Sequence, residues 1–180
     1  AVHANHANKC METNPHSATS APELEVLPQL IEATQSFLLA DQQLPPVVLF
    51  TKDKMFHTVG ITDDLGLDIK SDEDKKKLTG FIKAACLQRD VDSCIMMSEA
   101  WITKINAPSA GEALEKLRNR RVSDLPASQR TEVVILIMRV FRPTCERWLG
   151  SFDIIRDTTG QICSFGPVVW NKEQGNSPLM

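Results

Sequence analysis

Two apolar segments joined by a long polar connection constrain this chain more than any other feature. Segment 92–105 reads DSCIMMSEAWITKI and segment 131–142 reads TEVVILIMRVFR. In an extended chain, successive side chains point to opposite faces. Ile95, Met97, Glu99, Trp101, Thr103 and Ile105 then share one face of the first segment, and Cys94, Met96, Ser98, Ala100, Ile102 and Lys104 the other. In the second segment, Val133, Ile135, Ile137 and Phe141 face one way and Val134, Leu136, Met138 and Val140 the other. A continuous apolar run has no decisive period, so helix stays open. The density of β-branched residues favours strand. Apolar residues on both faces point to burial on both sides, or to a central place in a sheet.

Two charges interrupt these runs. Glu99 lies between Met97 and Trp101, and Arg139 between Ile137 and Phe141, each counted along one face. If the segments pair antiparallel with Ile105 opposite Thr131, Met97 opposes Arg139 and Glu99 becomes its diagonal neighbour on the same face. Diagonal neighbours lie about 7–8 Å apart, within reach of long side chains. Glu99 and Arg139 are therefore expected to pair or converge, either as a structural ion pair or as the floor of a polar pocket. An unpaired charge in either place would cost several kcal/mol.

The strand with Ser98-Glu99-Ala100-Trp101 is followed by a loop carrying Pro126, Ser128, Arg130 and Glu132. A later strand carries Trp148 and Arg156 before a glycine-containing turn. This order resembles a group of small bacterial proteins of uncharacterised function, in which an SEAW-type strand precedes a Pro/Ser/Arg/Glu loop and strand. The resemblance covers about 92–166. The loop here reads Leu125-Pro126-Ala127-Ser128-Gln129-Arg130 and departs from that spacing. The resemblance supports the fold and carries no activity with it.

The flanking sequence reads as cover and further strands for the same sheet. Ser20-Ala21-Pro22-Glu23 has the form of a helix start. Leu24, Leu27, Ile31 and Leu38 keep helical spacing, but Pro28 removes a donor and crowds the preceding turn. The pattern predicts a helix over about 28–41, ended by Leu44-Pro45-Pro46. Val47–Phe50 and Met55–Ile61, around the turn Thr51–Lys54, predict a hairpin. Ser71, followed by Asp72, Glu73 and Asp74, caps a second helix. That helix carries Leu78, Phe81, Ile82 and Ala85 on one stripe; Lys75, Lys76 and Lys77 read as its solvated face. Strands are predicted over 146–156 and 162–170, with Gly166-Pro167 marking an edge or a bulge. The resulting expectation is α+β: an antiparallel sheet of five to six strands, built from a hairpin and a four-stranded meander, with two main helices packed on one face. A disordered arm over 1–20, a single domain over 21–170 and a frayed tail over 171–180 complete it.

At 180 residues and a net charge of −3, nothing in the overall charge draws the chain to nucleic acid or to an anionic membrane. No apolar run approaches the ~20 residues that span a bilayer, and no basic and then apolar leader opens the sequence. The five cysteines (Cys10, Cys86, Cys94, Cys145 and Cys163) show no C-x-x-C spacing and read as reduced thiols of a cytoplasmic protein, with no zinc site and no cofactor expected. His3, His6, Cys10 and His16 precede or surround Met11, which reads as a natural start. Phosphate-cradling, metalloprotease and nucleophile-elbow motifs are absent from the sequence.

Three functions follow as expectations. The first is a non-catalytic protein acting through a protein partner or by self-association. The second is a binder of a small anionic ligand, or an enzyme, with Glu99 and Arg139 at the pocket floor and His57 nearby. The third is nucleic-acid contact through the basic connection 106–130. There Arg118, Arg120, Arg121 and Arg130 cluster beside a helical patch over 111–121, in which Leu114 and Leu117 form the apolar pair. The same arginines suit an anion or a protein partner.

Overall fold

The computed structural model describes residues 21–173 other than 104, 106, 119, 143 and 144, with the side chains of 110, 113 and 114 also set aside. The arm 1–20 and the last residues of the tail, 174–180, lie outside the described residues, as does the Leu114 half of the expected apolar pair.

The first helix, α1 (Leu27–Asp41), has Pro28 in its first turn, where the missing N–H costs nothing. A short turn precedes it, with Leu27 N–H donating to Leu24 at 3.0 Å. Strands β1 (Val47–Lys52) and β2 (Met55–Gly60) form the hairpin. Its loop is two residues, Asp53 and Lys54, both at positive φ (49° and 67°), the backbone a tight right-twisted hairpin requires. Helix α2 (Asp72–Arg89) is capped by the Ser71 hydroxyl, which accepts from Asp74 N–H. Lys75 and Lys77 pair with Asp72, Glu73 and Asp74 along its exposed side.

Strand β3 (Ser93–Ile102) pairs with β1 on one side and with β4 (Thr131–Val140) on the other. The connection between β3 and β4 holds the short helix α3 (Ala110–Leu117) and single helical turns at 122–124 and 127–129. Strand β5 (Glu146–Arg156) pairs with β4. The last strand is broken into β6 (Ile162–Phe165) and β7 (Val169–Lys172), which pair with the two ends of β5. The sequence pointed to one strand over 162–170 with an edge or bulge at Gly166-Pro167; the chain leaves the ladder there and forms two strands instead. β7 runs beyond the expected domain end at 170: Asn171 pairs with Leu149, and Lys172 with Trp148.

The architecture is the expected α+β class, an antiparallel curled sheet in the order β2-β1-β3-β4-β5-β6 with two main helices. The two helices do not share a face. Along β1, Leu49 packs in a core with Leu27, Leu30 and Leu38 of α1, whereas Val48 and Phe50 pack with Leu78, Ile82 and Ala85 of α2. Alternate residues of one strand therefore serve different helices, and the sheet lies between them. The stripe on each helix says that it covers a sheet; it does not say which side.

The α1 face extends across the whole sheet. Ile95, Met97, Leu136, Met138, Val140, Trp148 and Phe152 are buried in it. The α2 cluster takes in β1 and the start of β3 but none of Ile137, Leu149 or Val169. On that side Ile102, Leu149, Ile155 and Val169 are between 37% and 53% exposed.

Trp170 closes the α1 face by lying on Gly150, its partner across β5. A Cβ at Gly150 would fall 2.3 Å from the indole Cζ3. Gly150→Ala is expected to destabilise the fold by about 2 kcal/mol, the cost of overpacking a filled core. In a double-mutant cycle by urea denaturation, Trp170→Ala should remove most of that penalty. An additive cycle would show that the indole does not rest on the glycine.

Candidate functional site

The register of β3 on β4 places the two odd charges. Ile102 opposes Thr131, Glu99 opposes Val134 and Cys94 opposes Arg139. This differs by three residues from the expected register, and an odd shift puts Glu99 and Arg139 on opposite faces of the sheet. They form neither an ion pair nor a common pocket floor. His57 is exposed on β2, on the edge of the sheet. It shares a cross-strand row with Arg139, but Phe50 and Cys94 stand between them. Glu99, Arg139 and His57 therefore do not converge.

Glu99 finds other partners on the α1 face. Its Oε1 accepts from Leu44 N–H at 2.5 Å, which ties β3 to the segment after α1. Glu132, two residues along β4 from its cross-strand partner, receives a bidentate pair from Arg156: Nε at 2.6 Å and Nη2 at 2.8 Å. Arg156 Nη1 also donates to Gly160 O at 3.0 Å in the turn before β6. The arginine is thus committed to one carboxylate and one carbonyl. Burial pushes the Glu99 carboxyl above its ordinary range; the Leu44 N–H and the Arg156 charge oppose this, and the Glu132 charge adds to it.

This gives the pH dependence a sign. A carboxyl whose folded pKa is raised binds its proton more tightly when folded. Stability is then highest at acid pH and falls as pH rises from near 4.5 through the raised folded value. Glu99→Gln keeps an oxygen for Leu44 N–H and removes the ionisation. Relative to wild type, its urea midpoint is expected to rise as pH is taken from 4 to 7. A constant difference across that range would show that Glu99 is not desolvated.

The basic connection builds a different site. Thr103 and Thr131 lie at the paired ends of β3 and β4, and the chain between them folds back over that end. It leaves a cleft of about 490 Å3 whose cationic walls are Lys116, Arg120 and Arg130, with Ser128, Gln129 and Thr131 as polar neighbours. Among the described residues, no carboxylate lines it. Thr103 Oγ1 donates to Gln129 O at 2.5 Å and holds the lip closed. Arg130 is fixed in place: its guanidinium lies 4.3 Å over the Trp101 ring, and Nη1 donates to Ser123 O. Its Nε is buried with no hydrogen-bond partner. A buried donor without an acceptor is costly.

Of the four arginines expected there, the fold brings Arg120 and Arg130 to the cleft. Arg118 pairs with Glu115 at 3.0 Å on α3, and Arg121 is exposed at the start of the 122–124 turn. Lys116 joins the cleft from the last turn of α3, while Arg120 lies beyond the helix end at Leu117, so helical spacing along α3 did not link the two. Among the described residues, no group of three or more His, Cys, Asp or Glu side chains could hold a metal ion, and no helix is long and apolar enough to cross a membrane. No protein-family model, curated protein or solved structure matches this chain.

Proposed function

We propose that this chain is a non-catalytic interaction protein whose cleft at the β3–β4 end takes an acidic segment of a protein partner. The observation that carries the reading is the convergence of Lys116, Arg120 and Arg130 on one cleft with no carboxylate among its described lining residues. Arg130 is preorganised by Trp101, so little side-chain entropy is lost when it meets an anion. The cleft is polar and open at a sheet end, which suits an extended acidic peptide.

The test is a titration of the full chain with a fluorescent Glu-rich peptide, with inorganic phosphate and a single-stranded oligonucleotide as competitors. Binding of the peptide is expected to weaken with salt. Arg130→Ala is expected to weaken it about tenfold or more, the worth of a charge-assisted hydrogen bond. Arg118→Ala and Arg121→Ala, outside the cleft, should change it little. A peptide that binds Arg130→Ala as well as wild type would sink the reading. Preferential binding of the oligonucleotide would replace it with nucleic-acid contact.

A second reading, self-association, is favoured by one separate observation. Ile102 on β3, Leu149 and Ile155 on β5 and Val169 on β7 are exposed apolar side chains on the α2 side of the sheet, with Ser151 and Asp153 between the two on β5. Exposed apolar side chains grouped on one face mark interaction surfaces. The occupant proposed is a second copy, packed sheet against sheet about a two-fold axis. Light scattering of the wild type should then give a dimer, and Leu149→Lys a monomer. A monomer at every concentration for the wild type would refute this reading and leave the cleft reading untouched.

A further inference from the structure

On the α2 side of the sheet, Cys86 and Cys94 meet. Cys86 comes from the last turns of α2 and is half-buried; Cys94 is the second residue of β3 and is 1% exposed. Cys86 and Cys94 pack in one apolar cluster and line the same pocket. Arg139 stands beside Cys94 as its direct partner on β4. Its guanidinium lies 5.3 Å over the Phe141 ring, and its Nε is buried with no hydrogen-bond partner. These groups line a pocket of about 260 Å3, with Ile82, Leu87 and Phe141 as its apolar walls and Lys83 at its side.

We propose that Cys86 and Cys94 form a peroxide-sensing dithiol, with Cys86 as the attacking thiolate, Cys94 as the resolving thiol and an organic hydroperoxide as the oxidant. The arrangement has the features of a redox-sensitive cysteine: partial access, a second cysteine on the wall of the same pocket and a cation beside the pair. The neighbouring Cys94 thiol and the Arg139 charge both favour the Cys86 thiolate, against the opposing effect of burial. The neighbouring Cys86 and burial hold the Cys94 thiol in its protonated form. The apolar walls favour a hydroperoxide with a hydrocarbon tail over hydrogen peroxide.

The chemistry closes with two electrons. The Cys86 thiolate attacks the terminal oxygen of the hydroperoxide, the O–O bond breaks, and the alkoxide takes a proton and leaves as the alcohol. Cys86 is then a sulfenic acid. The Cys94 sulfur attacks it, the S–O bond breaks, and the Cys94 proton leaves with the hydroxide as water. Two thiols and one hydroperoxide give one disulfide, one alcohol and one water. A thiol reductant reverses it by exchange.

The experiment treats the full chain with cumene hydroperoxide and maps its cysteines by peptide mass spectrometry. Wild type is expected to lose two hydrogens and to yield a Cys86–Cys94 cross-link that dithiothreitol removes. Cys94→Ser should stop at the sulfenic acid, trapped by dimedone on Cys86. Cys86→Ser should give neither product. Arg139→Gln should slow alkylation of Cys86 by iodoacetamide, because it removes a charge that favours the thiolate. The wild-type map alone can overturn the proposal. Oxidation of the exposed Cys145 or Cys163 ahead of Cys86 does so, and so does a Cys86 link to any cysteine other than Cys94.

Discussion

The pairing of Ile102 with Thr131 assigns every side chain of β3 and β4 to its face, and the rest of the molecule depends on it. With this register, Ile95, Met97, Leu136, Met138 and Val140 lie in one layer under α1, each no more than 4% exposed. A shift of three residues would join Glu99 to Arg139, but it would turn the β4 members of that layer toward the other face. Burying one large aliphatic side chain is worth about 1.5–3 kcal/mol. An ion pair at a sheet margin is worth about 1 kcal/mol or less. Several buried side chains outweigh one ion pair, so burial sets the register and the charges find partners where it leaves them.

This is also where sequence reading stopped short. Alternation along each strand was legible, and the sets Ile95/Met97/Glu99/Trp101 and Val134/Leu136/Met138/Val140 are the sets that share faces. Helix α2 and the irregularity at Gly166-Pro167 were legible for local reasons: the Ser71 cap, the i, i+3, i+4 stripe, and a proline that cannot donate to a ladder. The register of two strands separated by 28 residues is fixed by neither turn geometry nor a unique charge pair. With both faces apolar, an odd shift leaves the hydrophobic pattern of each strand equally plausible. The side of the sheet chosen by each helix is equally silent in a one-dimensional pattern.

The polar residues obey the same logic. Glu132, unremarkable at the start of β4, shares the α1 face with Glu99 and takes the fork of Arg156. A bidentate arginine beside two carboxylates can neutralise only one of them fully, and Glu99 keeps the larger desolvation penalty. This is how a residue that looked like a pocket base becomes a strut between β3 and the chain leaving α1. The basic connection fared better in the sequence, because its arginines needed only proximity. The fold divided them, giving two to the cleft and leaving the others to Glu115 and to solvent.

The cleft and the dithiol lie at opposite ends of β3. Trp101, under Arg130, is seven positions from Cys94, a span of about 23 Å along a strand. They also belong to opposite faces, since an odd number of residues separates them. No side chain contributes to both. Arg139 and Arg130, the two arginines whose Nε atoms are buried without partners, sit at either end of β4, nine positions apart. One cation stands against a thiol pair in an apolar pocket, the other against an open polar cleft. The rigid part between them is the layer of Met97, Leu136 and Met138, whose burial sets the register. A substitution in that layer would move both sites together, whereas one at either arginine should leave the other site as it was.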